Sequence, residues 1–211
     1  KEEALMSLGN YVEAAAVCEQ LLGIKDDYGF RLDYAISLAH LGRTDEAIAE
    51  LTTILKADRE NLSALFSYAD LLTRVGDYQR AMVAYDNIIR ILPGNAVAYL
   101  ERAFVAAKIG EPAQTVAKLK EAVSVLPKNG FVLSGAAYLS YVTGHPTEAL
   151  QFLDKAESNG VADADLFCTR AFIYLAQKKF DLAKEAASRA LTTSPSNKLA
   201  WDLIAHAQDA L

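Results

Sequence analysis

Three histidines, two cysteines and 27 carboxylates are the residues of this 211-residue chain best equipped for chemistry, and their spacing assembles none. His40, His145 and His206 stand in distant parts of the chain and form no cluster at metal-ligand spacing, so no metal site is expected. Cys18 and Cys168 lie 150 residues apart and belong to no CxxC pattern, which argues against a disulfide framework, and no plausible Cys-His pair for nucleophilic catalysis is found. Glycine-rich phosphate loops of the GxxxxGK[ST] or GxGxxG kind are missing, as is a GxSxG elbow. Glu13, Glu46 and Glu148 recur at one place in the sequence pattern, near the start of a helix, where a carboxylate complements the helix dipole and needs no catalytic role. The residues therefore predict no enzyme activity and no cofactor.

What the chain does repeat is a large apolar side chain. Phe104, Tyr138 and Phe172 follow one another at intervals of 34. Residues of this kind bind by covering apolar surface, and at about 25 cal/mol per Å2 a covered patch of ~400 Å2 is worth ~10 kcal/mol before ordering costs. Charge narrows the choice of partner. A net charge of −6, with no cluster of Lys and Arg, argues against nucleic acid. No apolar stretch reaches the roughly 18 residues a membrane span needs. A hydrophobic share of 52% against 23% charged residues is the balance of a chain that buries a sizeable core.

The elements that position these side chains come from the same period. Gly9, Gly42, Gly76, Gly110 and Gly144 are separated by 33 residues and then three times by 34, and Lys178 falls at the next step. Ala35, Ala69, Ala103, Ala137, Ala171 and Ala205 keep to 34 throughout. Five residues past the glycine column stand Ala14, Ala47, Ala81, Thr115, Ala149 and Ala183. Pro93, Pro127 and Pro195 close units, each followed two residues on by Asn95, Asn129 or Asn197, whereas Arg59 and Val161 stand at the corresponding places in other units. Each unit reads as two amphipathic helices joined at the glycine, as in Leu62 to Val75 and then Tyr78 to Leu92. Small residues such as Ala69 and Ala81 let the paired helices approach, and Tyr68, Leu72, Tyr85 and Ile88 fill the space between units.

The stretch from Ser63 to Asn95 resembles a tetratricopeptide repeat, with Ala69, Gly76, Tyr78, Ala81, Ile88 and Pro93 at the signature places, and the resemblance covers nearly the whole chain. It implies an all-α fold: a right-handed α-solenoid of about five full helix-turn-helix repeats, with a partial N-terminal repeat and a C-terminal capping helix. The expected organisation is one array over 1–211, with units near 1–27, 28–61, 62–95, 96–129, 130–163 and 164–197 and a cap over 198–211. Trp201 is expected to pack that cap onto the last full unit.

In this family the first helix of each unit lines a concave groove. Helical spacing then puts Ile36, Phe66, Asp70, Leu100, Phe104, Phe131, Tyr138, Tyr141 and Phe172 on the groove face, with Phe104, Tyr138 and Phe172 stacking as a ladder. The clamp that related domains use for acidic chaperone tails is absent: Asp33 and Ile36, Phe66 and Asp70, and Leu100 and Phe104 occupy its places. So is the asparagine ladder of the sugar-transferase superhelices, where Asp33, Ser67, Glu101, Gly135 and Thr169 stand. The expected function is a protein-interaction scaffold that binds an apolar or amphipathic peptide segment. The alternatives are a regulatory or targeting arm of a larger enzyme and a self-assembling scaffold that forms homo-oligomers. Opening on Lys1 partway through a repeat suggests a fragment whose missing ends carry targeting information, and a cytoplasmic location is expected.

Overall fold

A computed structural model describes residues 9–209 and contains twelve α-helices and no strand among them. They are α1 (Tyr11–Ile24), α2 (Tyr28–His40), α3 (Thr44–Ala57), α4 (Leu62–Val75), α5 (Tyr78–Ile91), α6 (Ala96–Ile109), α7 (Pro112–Val125), α8 (Gly130–Val142), α9 (Pro146–Ser158), α10 (Ala164–Ala176), α11 (Phe180–Thr193) and α12 (Lys198–Asp209).

Local chemistry sets the helix ends. Asn61 Oδ1 accepts from the Ala64 amide at 3.0 Å, Asn129 does the same for Val132, and Asn197 for Ala200. Each such bond satisfies one of the amides that a helix start leaves without an intrahelical partner. The asparagines that follow the unit-closing residues are thus starters of the next first helix. At the other end of α4, Gly76 takes φ 84°, and the Asp77 amide reaches back to the Leu72 carbonyl at 2.9 Å. Lys178, at the sixth place of the glycine column, adopts φ 58° despite its side chain. The column therefore marks a left-handed turn residue and not glycine as such.

The chain divides at Asn95 and Ala96 into two compact units. The sequence reading expects one uninterrupted array; the division falls on one of its repeat boundaries. The first unit holds α1, the hairpin α2–α3 and the hairpin α4–α5, around a core of Ala35, Leu38, Ala47, Leu51, Ile54, Ala64 and Leu71. The second holds the hairpins α6–α7, α8–α9 and α10–α11, followed by α12. In both units successive first helices pack on one another: α2 on α4, then α6 on α8, α8 on α10 and α10 on α12. Second helices lean instead on the first helix of the following repeat, as α7 does on α8 and α9 on α10. This packing sets the first helices side by side on one face of each unit, in the manner of an α-solenoid.

The alanine columns are the hinge line of each hairpin. Ala35, Ala69, Ala103, Ala137 and Ala171 are fully buried, as are Ala14, Ala47, Ala81, Ala149 and Ala183. Thr115 fits the second column because its hydroxyl donates to the Glu111 carbonyl at 3.1 Å, so the added oxygen is not stranded.

One expectation is corrected at α12. Trp201 does not pack the cap: it is 57% exposed, and its indole Nε1 donates to the Pro195 carbonyl at 3.2 Å. Ala200, Leu203 and Ala207 do the packing. The residues at the Trp201 place in earlier repeats, Leu65, Tyr99, Leu133 and Phe167, are buried. Each of those helices has a following second helix packed against it, and among the described residues α12 has none.

Candidate functional site

Three first helices of the second unit, α8, α10 and α12, enclose a pocket of about 350 Å3 lined by Tyr138, Tyr141, Asp165, Cys168, Thr169, Phe172, Leu199 and Leu203. Its size is within the common range for ligand pockets, roughly 300–1,000 Å3. Cys168 and Leu203 are buried at its floor. Its walls are exposed rings and an exposed leucine: Tyr138 is 55% and Phe172 47% accessible, and Leu199 is as open. The Tyr141 ring meets Phe172 edge-on, with centroids 5.4 Å apart and planes at 83°.

The aromatic ladder is present but does not stack ring on ring. Among the described residues Phe172 finds its ring partner in Tyr141, three residues beyond Tyr138, rather than in Tyr138 itself. Neighbouring helices run roughly 8–10 Å apart, so side chains at equivalent places stand in parallel with a gap between them. A ring one turn further along closes that gap diagonally. Phe104 is half-buried beneath Lys108, whose Nζ lies 4.9 Å from the ring centroid, so this rung presents a covered face.

The other expected residues scatter. Leu100 is buried, and its side chain fills the space over Gly135. Phe131 is exposed at the start of α8 but does not line the pocket. In the first unit, Ile36 and Asp70 line a separate cleft of about 160 Å3 together with His40 and Arg74. Asp70 lies 4.0 Å from Arg74 one turn on, and Phe66 is half-buried outside that cleft. Asp165, Leu199 and Leu203, which the groove-face spacing does not pick out, complete the pocket together with Thr169. Leu199 was within reach, since it stands 68 residues after Phe131, two periods along the same column.

The lining of this pocket is mostly apolar. Burial, and then the nearby charge of Asp165, push the Cys168 thiol above its ordinary pKa, which keeps it neutral and a poor nucleophile at neutral pH. His40 is occupied in stacking on Tyr11, with ring centroids 3.9 Å apart and planes within 4°. No group of three or more metal-ligating side chains occurs among the described residues. None of the described helices is long and apolar enough to cross a membrane.

Comparison with known proteins places this geometry. Residues 5–69 and residues 164–197 each match a family model described as tetratricopeptide repeat. A search of curated proteins finds no significant match. Among solved structures, a tetratricopeptide repeat protein from Parabacteroides merdae is 20% identical, with TM-score 0.62 over 98% of this chain and 81% of that one. MamA from Desulfovibrio magneticus is 16% identical, with TM-score 0.61 over 75% of this chain and 90% of its own. YrrB, described as a tetratricopeptide repeat protein with an unusual peptide-binding site, is 17% identical, with TM-score 0.55 over 89% and 97%. At these identities the solved structures establish the fold, and the two family matches fall at both ends of the period found in the sequence. Residues 5–69 and 164–197 are tetratricopeptide repeats, and the chain has the fold of tetratricopeptide repeat proteins.

Proposed function

We propose that this protein is a non-catalytic scaffold that holds a partner through an apolar or amphipathic peptide segment laid across α8, α10 and α12. The observation that carries this reading is the exposure of Tyr138, Phe172 and Leu199 around one pocket with a buried apolar floor. Contiguous apolar side chains are costly to leave in water, and such patches mark partner surfaces. The peptide-binding site named for YrrB, a protein of the same fold, is in keeping with this use. In this scheme one apolar side chain of the peptide enters over Cys168 and Leu203, while Tyr138 and Phe172 flank it and their rigid rings lose little freedom on binding. Asp165 and Thr169 stand at the edge and accept or donate to the peptide backbone.

The test is to pan a displayed peptide library against the chain and measure the enriched peptides by titration on the Tyr138→Glu, Phe172→Glu double variant. Both side chains are half-exposed, so melting should be retained, and affinity for the enriched apolar peptides should fall at least tenfold. Undiminished affinity in a folded double variant removes this pocket from the function.

A further inference from the structure

A second pocket, of about 470 Å3, lies in the first unit and is lined by Leu55, Arg59, Leu65, Tyr68, Arg80, Val83, Ala84, Asn87 and Arg90. It is not part of the first-helix face. At about 100° per residue, Leu65 and Tyr68 project from the side of α4 away from Phe66 and Asp70. Leu65 and Ala84 are buried at its base, and Leu55 and Val83 add apolar surface. Around that base the polar groups are three guanidiniums, the Tyr68 hydroxyl and the Asn87 amide. The three arginines come from three places: the turn after α3 and the first and last turns of α5.

Their partners leave donors to spare. Arg80 donates to Asp77 at 3.1 Å and also to the Tyr68 hydroxyl. Arg90 donates to Glu60 at 3.3 Å. Arg59 has no carboxylate partner among the described residues. The residues one to four periods further along the same column, Pro93, Pro127, Val161 and Pro195, carry no charge. A guanidinium offers five donors, and exposed ion pairs such as those of Arg80 and Arg90 are weak in water, so an incoming anion can share or replace them.

We infer that this pocket binds a peptide segment carrying one acidic side chain beside an apolar one. Three guanidinium charges less the two carboxylates bonded to them leave a surplus of one positive charge. A single carboxylate matches that surplus, while a phosphate dianion exceeds it and meets repulsion from Asp77 and Glu60. The planar fork of arginine pairs with a carboxylate in two-point fashion, and the apolar base takes the neighbouring side chain. In a chain of net charge −6, a locally positive pocket with an apolar floor is set apart from its surroundings. The site is independent of the α8, α10 and α12 surface and stands or falls without it.

The experiment is an NMR titration of the whole chain, labelled with nitrogen-15, at low salt. Its probes are a capped Ala-Leu-Glu-Leu-Ala peptide, the counterpart with glutamine in place of glutamate, and inorganic phosphate. The glutamate peptide should shift amides around Arg59, Tyr68 and Arg90, with affinity falling at least tenfold in Arg59→Gln and no measurable binding in Arg59→Gln, Arg90→Gln. The same binding should survive in Tyr138→Glu, Phe172→Glu. The spectra report folding of every variant directly. The assignment is overturned if the wild-type chain does not respond, if the glutamine peptide binds as well, if phosphate binds more tightly than the peptide, or if the double arginine variant keeps its affinity.

Discussion

Leu100 of α6 lies over Gly135 of α8 so closely that a Cβ on the glycine would stand 2.5 Å from Leu100 Cδ1, and Leu100 is only 8% exposed. Successive first helices of the second unit meet at this point, and the leucine occupies the volume that any side chain at 135 would need. The expected outcome is a change of sign. Replacing a mid-helix glycine by alanine favours the helix by roughly 0.5–1 kcal/mol, but crowding a packed site costs about 1–3 kcal/mol. Gly135→Ala alone should therefore destabilise by about 1 kcal/mol, and in a Leu100→Ala background it should stabilise by a similar amount. Denaturant melts of the four proteins check this; equal effects in both backgrounds would dissolve the contact.

Glu157 joins two arginines of successive second-unit helices. Arg170 Nη2 lies 2.9 Å from Glu157 Oε1 as an ion pair, and Arg189 donates to Oε2 at 2.9 Å. Arg170 is buried and also donates to Asp154 at 2.8 Å, but Asp154 is largely exposed. Glu157→Gln should cost about 1–3 kcal/mol, because a buried guanidinium loses its better-shielded counter-charge. Asp154→Asn should cost under about 1 kcal/mol, as exposed pairs do. Thermal unfolding of the two variants gives the ranking, and the reverse order would refute it.

At the start of α2, Asp27 accepts from the Gly29 amide at 2.9 Å and from Lys25 Nζ at 2.8 Å. The lysine hydrogen bond first, and the amide after it, hold the Asp27 carboxyl below its ordinary pKa. A depressed carboxyl stabilises the fold above its unfolded pKa of about 3.9 and loses that contribution as pH falls through the lower folded value. Asp27→Asn keeps the cap and removes the charge, so near pH 7, where the ionised carboxyl contributes its stability, the variant should melt slightly lower than the parent. Below about pH 4 the variant should lose less stability than the parent on further acidification, a difference readable in melts at stepped pH and reduced by salt. Parallel curves for the two proteins down to pH 2 would contradict this.

Cys168 sits at the floor of the second-unit pocket and Cys18 is buried in the first unit. With its pKa raised by burial, Cys168 should alkylate more slowly than free cysteine at pH 7.5 and faster as pH rises. A peptide bound between Tyr138 and Phe172 should slow it further and leave Cys18 unchanged. Peptide mass spectrometry after timed iodoacetamide exposure separates the two thiols. Labelling of Cys168 at the rate of a free thiol would place it outside a closed floor.

The sequence alone determined what depends on local spacing. A period of 34 with alanine at Ala69 and Ala81, a turn residue at Gly76 and a starter at Asn129 specifies helix hairpins, because caps, left-handed turns and helical faces are set within a few residues. It also brought Tyr138, Tyr141 and Phe172 to one face. What only the tertiary structure decided is which side chains a neighbouring element covers. Leu100 and Tyr138 both stand on the inward face by helical spacing, yet Leu100 is buried because α8 carries Gly135 opposite it, while Tyr138 remains open. Trp201 is exposed where Phe167 is buried because α10 has α11 against it and α12 has no such helix among the described residues. The meeting of Arg59, Arg80 and Arg90 was equally illegible, since they lie on separate segments that only the fold brings around one pocket. Exposure is a property of pairs of elements, and the period of a single chain records the elements without recording what covers them.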